Sequence, residues 1–336
     1  PESGKANRIE PSGKSVAIIG SGPAGLSAAH SLALAGHRCV VYEALRVLGG
    51  MLAVGIPDYR LPPDILERDL TSIRNLGVTF KPGTSVGRDI SREQIEKEFD
   101  AVFIATGAHE SRKLGIPGEQ CAGVVYGVEF LRQFSLDQGA EVGKRVMVVG
   151  GGNTAFDAAR VARRMGAETV TILIRCRDEM IAAPEEIAGA LAENIEIMLG
   201  ATAIKVVSEN GRMTGAQCIR MKLGEPDANG RREPVPIEGT EFFFEADTLI
   251  PAISQYADTK LAELFELQIS KLGTVVTDDI TMATSKDGMF AGGDVVTGPS
   301  NVIEAIAQGK RAARAIDNYL SGRPLRQSEN RRRVHS

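Results

Sequence analysis

Three closely spaced glycines, Gly20, Gly22 and Gly25, follow a short apolar segment, and the next apolar segment ends in the acidic residue Glu43. This order of strand, glycine turn, helix, strand and acid is typical of a βαβ unit that binds a dinucleotide. The glycines would permit the turn, the approach of backbone to a pyrophosphate and close helix packing, while Glu43 would accept hydrogen bonds from a ribose. The helix N-terminus adds free N–H groups and the positive end of a dipole. We predict a dinucleotide site, because a glycine-rich turn without a ligand leaves Glu43 unexplained.

The same pattern recurs in the middle of the chain, at Gly150-Gly-Gly-Asn-Thr-Ala155. Alanine replaces the third glycine, which is a permitted variant of the motif. The strand that follows ends in Arg175-Cys-Arg177 instead of an acid. Arginines favour the 2′-phosphate of NADP(H), which an acid would repel, so this second unit is predicted to prefer NADP(H) over NAD(H). The alternative is that these arginines are surface charges near Glu179 and Glu185.

Two further glycine pairs are candidates for contact with a cofactor. Gly49 and Gly50, followed by Met51, allow backbone to lie against a large flat or phosphorylated ligand, although an ordinary loop would serve as an alternative. Gly292-Gly-Asp294 ends a short predicted strand, and an aspartate there can hydrogen-bond a ribityl or pyrophosphate group. The helix predicted from Asn301 can direct its dipole at negative charge on a flavin ring. The alternative here is a glycine turn before an amphipathic helix.

Patterns of apolar and turn residues predict the elements that must position these motifs. Strands are predicted at 16–20, 38–42, 78–81, 100–104, 145–149, 169–174, 203–207, 215–222, 241–244, 247–251 and 288–291. Helices are predicted at 23–35, 64–75, 90–99, 127–134, 154–165, 184–192 and 301–320. The helix at 64–75 is expected to begin with a capping box formed by Asp64 and Glu67. This alternation predicts an α/β fold with two Rossmann-like dinucleotide-binding domains.

The composition restricts the class of protein. The chain has 336 residues, of which 43% are hydrophobic, and a formal net charge of −4. This fits two domains and gives no electrostatic footprint for nucleic acid, although Arg331-Arg-Arg333 in the tail is expected to be solvated or to face a partner. The polar start, Pro1 to Ser15, predicts no signal peptide, and no apolar run reaches the ~18 residues of a membrane span. We therefore expect a cytoplasmic protein.

Cysteines and histidines form no catalytic or metal-binding constellation in the sequence. The four cysteines are scattered and no C-x-x-C occurs. This indicates a reducing compartment and argues against a redox-active disulfide or an iron–sulfur cluster held by this chain. The histidines His30, His37, His109 and His335 are expected to be structural or solvated. No metal ligand is predicted.

These motifs resemble the flavoproteins with two dinucleotide-binding domains, in particular the small subunit of glutamate synthase and its relatives. The relatives include the matching domains of dihydropyrimidine dehydrogenase and the large subunit of NADH-dependent ferredoxin:NADP oxidoreductase. The matching segments span nearly the whole chain and are 20–25, 49–51, 55–62, 105–107, 118–119, 150–157 and 291–298. The stretch Gly55-Ile-Pro-Asp-Tyr-Arg-Leu-Pro62 is specific to this subfamily, whereas the others belong to the wider superfamily.

The resemblance implies FAD in one domain and NAD(P)H in a second domain inserted into it. The implied division is an N-terminal arm at 1–14, an FAD-binding domain at 15–108 and 251–322, an NAD(P)-binding domain at 109–250 and a tail at 323–336. Carried over by motif position, the FAD-binding residues are Gly20, Gly22, Pro23, Ala24, Gly25, Glu43, Gly50, Met51, Arg60, Ala105, Thr106, Gly107, Gly293, Asp294, Asn301, Val302 and Ile303. The NAD(P)-binding residues are Gly150, Gly152, Asn153, Thr154, Ala155, Arg175 and Arg177.

The implied activity is hydride transfer between NAD(P)H and FAD, with electrons exchanged with an iron–sulfur partner or a larger oxidoreductase subunit. The cofactors carry this chemistry, so no catalytic side chain is predicted. The cysteine-rich domain usual in the family is not in this sequence, so the electron acceptor is expected on another chain or in solution. Two other departures are Cys176 between the arginines and Ser254-Gln255 where the family has Gly-Gln. The alternatives are a self-contained flavoprotein reductase or oxygenase, and a non-catalytic docking subunit that contains FAD.

Overall fold

A computed structural model describes residues 9–226, 230 and 232–325 of the chain. Residues 9–14 of the predicted arm contain no helix or strand. The rest of the arm, residues 227–229 and 231, and the tail from residue 326, with Arg331 to Arg333 and His335, lie outside the described residues.

Strands and helices alternate through most of the described chain. The strands are β1 (Ser15–Ile19), β2 (Arg38–Glu43), β3 (Thr79–Pro82), β4 (Ala101–Ile104), β5 (Glu110–Ser111), β6 (Arg145–Val149), β7 (Thr169–Ile174), β8 (Glu196–Leu199), β9 (Ala201–Glu209), β10 (Arg212–Pro226), β11 (Arg232–Pro236), β12 (Phe242–Glu245), β13 (Thr248–Pro251), β14 (Gln255–Tyr256) and β15 (Met289–Ala291). The helices are α1 (Pro23–Leu34), α2 (Met51–Val54), α3 (Pro63–Asn75), α4 (Arg92–Glu98), α5 (Gly127–Ser135), α6 (Asn153–Arg164), α7 (Pro184–Ala192), α8 (Lys260–Leu264), α9 (Asp294–Thr297) and α10 (Val302–Leu320).

The chain divides into two compact units. The first contains the described residues up to Ala53, the segment Asp58–Glu110 and the described residues from Tyr256 onward. The second contains Val54–Pro57 and Ser111–Gln255. Along the sequence, the second unit is therefore inserted into the first.

The first unit is built on a parallel sheet with the strand order β15-β4-β1-β2-β3. All five residues of β1 are buried, since the strand lies mid-sheet with cover on both faces. Helices α1 and α10 share the apolar core on one face, and α4 and α8 contribute to the core on the other. Gly309 of α10 permits close helix contact, because a Cβ there would lie 2.2 Å from the carbonyl oxygen of Ala24. This packing brings α10 to the first glycine turn.

The second unit combines a parallel sheet, in the order β13-β6-β7-β8, with an antiparallel sheet of β9 to β12. Residues of β6 and β7 share one apolar core with β9 and β10, so the antiparallel sheet covers one face of the parallel sheet. Helix α6 contacts α5 and α7. Arg160 of α6, which is 12% exposed, donates to the carboxylates of Glu186 and Glu193 and so links α6 to α7 and the residue that follows it.

The predicted capping box at Asp64 is wrong. Helix α3 begins at Pro63, with Pro62 at the N-cap position, and Asp64 lies within the first turn. Proline is favoured there because its φ is preset and its missing N–H needs no partner in the first turn. A capping box is formed instead at α4, between Ser91 and Gln94, in a helix that the sequence did predict.

Four of the described strands were not predicted: the edge strands β8 and β11 and the two-residue strands β5 and β14. All residues of β8 and β11 are exposed or half-buried, and neither sequence shows the alternation of apolar and polar residues that identifies a half-buried strand. None of the helices within the described residues is long and apolar enough to cross a membrane.

Candidate functional site

The first glycine turn joins β1 to α1, and two of its glycines are required by the protein itself. Gly20 has a φ of +107°, and a Cβ there would lie 2.3 Å from the carbonyl oxygen of Ala105 at the end of β4. A Cβ on Gly25 would lie 2.0 Å from the carbonyl oxygen of Gly20. These contacts hold strand, turn and helix too close together for any side chain.

Gly22 differs from its two neighbours. Its φ is −68°, which other residues adopt without strain, and apart from residues 21–23 no atom of the described residues lies within 4 Å of where its Cβ would stand. Nothing in the fold therefore requires glycine here, whereas a ligand that approaches the backbone would. No described side chain caps α1, and Pro23 at the first helical position has no N–H, so the next first-turn N–H groups face this space. The turn fits a bound pyrophosphate.

Glu43, at the end of β2, is buried beside this turn. Its Oε2 accepts hydrogen bonds from the backbone N–H (3.0 Å) and the hydroxyl (2.6 Å) of Ser21, and its Oε1 accepts from the N–H of Leu45 (2.8 Å). The Ser21 hydroxyl in turn accepts from the N–H of Gly49 at 3.0 Å. Sequence reasoning missed Ser21, because a serine between two motif glycines carries no signal of its own.

The second glycine pair lies against the first turn. Gly50 has a φ of +54°, and a Cβ there would lie 2.9 Å from the Cα of Gly22. Met51 begins α2, and Arg60 is half-buried in the turns that follow it. The structure therefore brings Gly50 to the predicted pyrophosphate turn.

The turn after β4 reaches the same region through Ala105, which is buried against Gly20. Thr106 and Gly107 are half-buried, and Gly107 has a φ of +72°. A Cβ on Gly107 would lie 3.5 Å from Nε2 of His109, so the imidazole covers this glycine.

The third predicted glycine segment, which contains Gly293, also lies beside the first glycine turn. The N–H of Gly293 donates to Oε1 of Gln308 at 2.7 Å, and a Cβ on Gly293 would lie 3.0 Å from the Cβ of Ala24. Gln308, a buried residue of α10 that sequence reasoning missed, thus ties the end of β15 to the C-terminal helix. Asp294 begins α9, accepts a hydrogen bond from the N–H of Ser300 at 3.3 Å, and has its pKa raised by burial.

Three predicted site residues lie at the start of α10, and they differ in exposure and in their contacts. The side chain of Asn301 accepts from the N–H of Glu304 at 2.9 Å and caps the helix, so that side-chain oxygen is engaged by the chain itself. Val302 is half-buried, and the Ile303 side chain is 79% exposed. Their first-turn N–H groups have no partner within the helix, which leaves them available to an acceptor.

The second glycine turn, between β6 and α6, repeats the geometry of the first. Gly150 has a φ of +143°, and a Cβ there would lie 2.2 Å from the carbonyl oxygen of Ala252, just after β13. Gly152 has a φ of −90° and no described atom within 4 Å of a Cβ position. Ala155 is buried where the first unit has Gly25. This turn therefore offers the same opening for a pyrophosphate.

The segment after β7 closes over the second turn. The carbonyl of Gly151 accepts from the N–H groups of Ile181 and Ala182, and Oδ1 of Asn153 accepts from the N–H of Ala183 at 2.9 Å. Asn153 thus holds this segment in addition to beginning α6. The hydroxyl of Thr154 accepts from the side-chain amide of Gln255 at 3.5 Å. Sequence reasoning did not predict this contribution of 181–183, since it depends on contacts distant in sequence.

The two arginines after β7 differ from each other. Arg175 is exposed and pairs with the carboxylate of Glu179, a hydrogen bond that raises the pKa of the guanidinium further above its usual value. Arg177 is exposed in a short 3₁₀ turn, and no described residue pairs with its side chain. The surface-charge alternative therefore describes Arg175 as it stands here, while Arg177 offers an uncommitted positive charge at the end of β7.

Two cysteines and one histidine are held within packed structure. Burial raises the pKa of the Cys39 and Cys218 thiols to about 12, so neither is a thiolate at neutral pH. His37 is buried, with Nδ1 against the Ser12 hydroxyl (2.7 Å) and Nε2 against Asp317 (3.0 Å), which is a structural contact. No group of metal-binding side chains occurs within the described residues.

Comparison with known proteins identifies this arrangement. Residues 14–309 match the pyridine nucleotide-disulphide oxidoreductase family. The β subunit of NADP(+)-dependent formate dehydrogenase from Moorella thermoacetica is 50% identical over 313 residues, which are 92% of this chain and 44% of that protein. The NADPH-Fe(3+) oxidoreductase subunit β of Geobacter sulfurreducens is 43% identical over 335 residues, which cover 91% of this chain and 50% of that protein. The chain therefore spans about half the length of these two relatives.

The resemblance to glutamate synthase small chains is confirmed. The glutamate synthase [NADPH] small chain of Azospirillum brasilense is 36% identical over 327 residues, which cover 93% of this chain and 67% of that protein. Among solved structures, FprA from Mycobacterium tuberculosis superposes with a TM-score of 0.80 at 18% identity, covering 93% of this chain and 85% of that one. Thioredoxin reductase from T. acidophilum has a TM-score of 0.67 at 20% identity, covering 91% and 98%. These structures confirm the predicted α/β fold with two Rossmann-like domains.

Proposed function

Since the chain belongs to the pyridine nucleotide-disulphide oxidoreductase family, we propose that it is a flavoprotein subunit that transfers hydride between NAD(P)H and FAD and exchanges electrons with an iron–sulfur partner. The observation that carries this proposal is the pair of glycine turns. Gly22 in one turn and Gly152 in the other are left open to a ligand, although the fold does not need glycine at either position. One turn is backed by an acid and the other by arginines, so the two turns suit two different dinucleotides.

FAD is assigned to the first unit. The open turn at Gly22 and the N-terminus of α1 would hold the pyrophosphate, and Glu43 would accept from the adenosine ribose. Asp294 would hydrogen-bond the ribityl–pyrophosphate region, while the N–H groups at the start of α10 would face the flavin ring. Gly50 would line the same pocket. A side chain at position 50 would collide with the turn at Gly22.

NAD(P)H is assigned to the second unit, at the turn around Gly152. Arg177 would bind a 2′-phosphate, because it carries a positive charge that no described residue neutralises. Arg175 would have to leave Glu179 to do the same. This favours NADPH over NADH, and several relatives carry NADP(+) or NADPH in their names.

The predicted domain division is kept as part of this proposal. The compact units change over at Glu110/Ser111 and at Gln255/Tyr256, close to the boundaries predicted after 108 and 250, and this supports the division. The short segment Val54–Pro57 is grouped with the second unit and was not expected there.

The chemistry of this reaction belongs to the cofactors: bound NAD(P)H supplies a hydride, and bound FAD accepts it and releases electrons. The chain's own residues bind and orient the two dinucleotides. No general acid or nucleophile is needed for this step, in keeping with the thiols of Cys39 and Cys218, which burial keeps protonated. The partner is proposed from the relatives named as β subunits or small chains.

The test is steady-state turnover of the full chain, reconstituted with FAD, with ferricyanide as a one-electron acceptor. We expect ferricyanide reduction that requires FAD and is faster with NADPH than with NADH. Consumption of O₂ or of a small substrate in place of ferricyanide would instead support a self-contained oxygenase or reductase. No turnover with either nucleotide, despite bound FAD, would contradict the proposal and favour a docking subunit.

A further inference from the structure

The hydroxyl of Ser21 connects three parts of the first unit. It donates to Oε2 of Glu43 at 2.6 Å and accepts from the N–H of Gly49 at 3.0 Å. The phosphate turn, the acid at the end of β2 and the glycine pair before α2 are thus joined through one side chain. Ser21 has no exposed surface, so no water competes for these hydrogen bonds.

The hydrogen bonds of Glu43 leave one side of its carboxylate open. Its Oε2 accepts two hydrogen bonds, both from Ser21, which fills the two acceptor directions of that oxygen. Its Oε1 accepts one, from the N–H of Leu45. Among the described residues, Oε1 therefore keeps one acceptor direction, and the bonds from Ser21 fix where it points.

The second unit shows that a pair such as Ser21 and Glu43 is not needed to build the turn. In the first unit the N–H of Gly20 donates to the carbonyl of Tyr42, and in the second the N–H of Gly150 donates to the carbonyl of Leu173. The residue after Leu173 is Ile174, so it stands where the first unit has Glu43. Gly151 stands where the first unit has Ser21, and a Cβ there would lie 3.1 Å from Ile174. The same turn forms with an aliphatic residue in place of the acid.

We propose that Ser21 is a positioning residue for the adenosine ribose: its hydroxyl orients the Glu43 carboxylate so that Oε1 accepts from a ribose hydroxyl. This inference rests on the proposed assignment of FAD to the first unit. Ser21 touches the ligand only through Glu43, and it also holds the turn at Gly49 against the same carboxylate. Loss of the hydroxyl leaves Glu43 with its two backbone N–H donors and removes the acceptor for the Gly49 N–H.

The test compares nucleotides that differ by one hydroxyl. The flavin-free full chain is titrated with ADP, 2′-deoxy-ADP and 3′-deoxy-ADP, and the deoxy analogue that binds more weakly identifies the hydroxyl that Glu43 contacts. For Ser21→Ala we expect ADP to bind about tenfold more weakly, and the preference for ADP over that analogue to fall to about a third or less of its wild-type value. The matched control is Ser27→Ala, whose hydroxyl donates to the carbonyl of Ile306 instead, and which should leave the preference unchanged.

Several results would overturn the proposal. An unchanged preference in Ser21→Ala, even with weaker binding overall, would mean that Ser21 acts only on the shape of the turn. Full additivity of Ser21→Ala with Glu43→Gln would show that the two residues act independently. If Ser21→Ala does not fold, Ser21→Cys keeps the volume with a weaker donor and is judged by the same preference. Wild-type chain that binds neither ADP nor FAD would contradict the proposed function as well, whereas binding without loss of preference in the variants contradicts this inference alone.

Discussion

Replacing Gly22 by alanine is expected to separate ligand binding from folding. The backbone at this position, with φ −68° and ψ −179°, suits alanine, and no described atom lies within 4 Å of the new Cβ. Alanine stabilises the folded chain by about 0.4–1 kcal/mol, because it lowers the conformational entropy of the unfolded chain. It destabilises the folded chain by about 0.5–1 kcal/mol, because it is a poorer N-cap than glycine. The free energy of unfolding of the flavin-free chain should therefore stay within about 1 kcal/mol of wild type.

The effect of Gly22→Ala on FAD should be much larger. The added methyl group occupies the space through which the backbone approaches the pyrophosphate. Loss of one charge-assisted hydrogen bond, at about 1.5–3 kcal/mol, weakens FAD binding roughly ten- to a hundredfold, and loss of two weakens it roughly a hundred- to ten-thousandfold. Fluorescence quenching on addition of FAD measures the affinity, and urea unfolding of the flavin-free chain measures stability.

Gly25→Ala is the matched comparison, since its Cβ would lie 2.0 Å from the carbonyl oxygen of Gly20. This overlap forces the helix away from the strand and should cost about 1–3 kcal/mol or more of stability before any ligand is added. The reasoning is refuted if Gly22→Ala binds FAD within about twofold of wild type. It is refuted equally if Gly22→Ala lowers stability as much as Gly25→Ala does.

Three further predictions concern the other proposed contacts. Gly152→Ala should leave FAD affinity and the unfolding free energy nearly unchanged but weaken NADPH binding about tenfold or more, measured by isothermal titration; an unchanged NADPH affinity would contradict the assignment of the second turn. Arg177→Ala should weaken NADPH about tenfold while leaving NADH unaffected, and equal losses for both nucleotides would exclude a contact with the 2′-phosphate. Asp294→Asn should stabilise the flavin-free chain: burial raises the pKa of Asp294 above its unfolded value, so its contribution to stability is full below about pH 4 and is lost as pH rises through the folded pKa. Urea unfolding should show the variant to be more stable at pH 7, with a gap that closes toward pH 4, and a gap that widens toward acid would contradict the sign.

The glycine turns and their strands could be predicted because their signals are local. Gly20, Gly22 and Gly25 lie within six consecutive residues. Backbone conformation selects glycine at Gly20 and close packing selects it at Gly25, while Gly22 matches the motif position at which backbone approaches a pyrophosphate. Asn153 shows the limit of assigning a role by motif position. The motif places Asn153 at the start of α6, but it does not reveal that the side-chain oxygen accepts a hydrogen bond from the N–H of Ala183.

Residues that act across long sequence separations could not be predicted. Gln308 reaches Gly293 through the packing of α10, and the Ser21 hydroxyl reaches Glu43 only once β1 and β2 are paired. Neither glutamine nor serine is an unusual residue in a helix or a turn, so the sequence alone gives no reason to single them out. The sequence also left open which arginine after β7 is paired: Arg175 contacts Glu179, whereas Arg177 has no partner among the described residues.

An anaerobic titration of the full chain, loaded with FAD, tests the central claim most directly. NADPH and NADH are added in separate experiments, and the visible absorbance band of the oxidised flavin is followed. We expect NADPH to bleach this band with one equivalent per flavin in the wild-type chain, and to do so poorly in Gly152→Ala at the same concentration. Bound FAD that neither nucleotide bleaches would contradict hydride transfer within this chain.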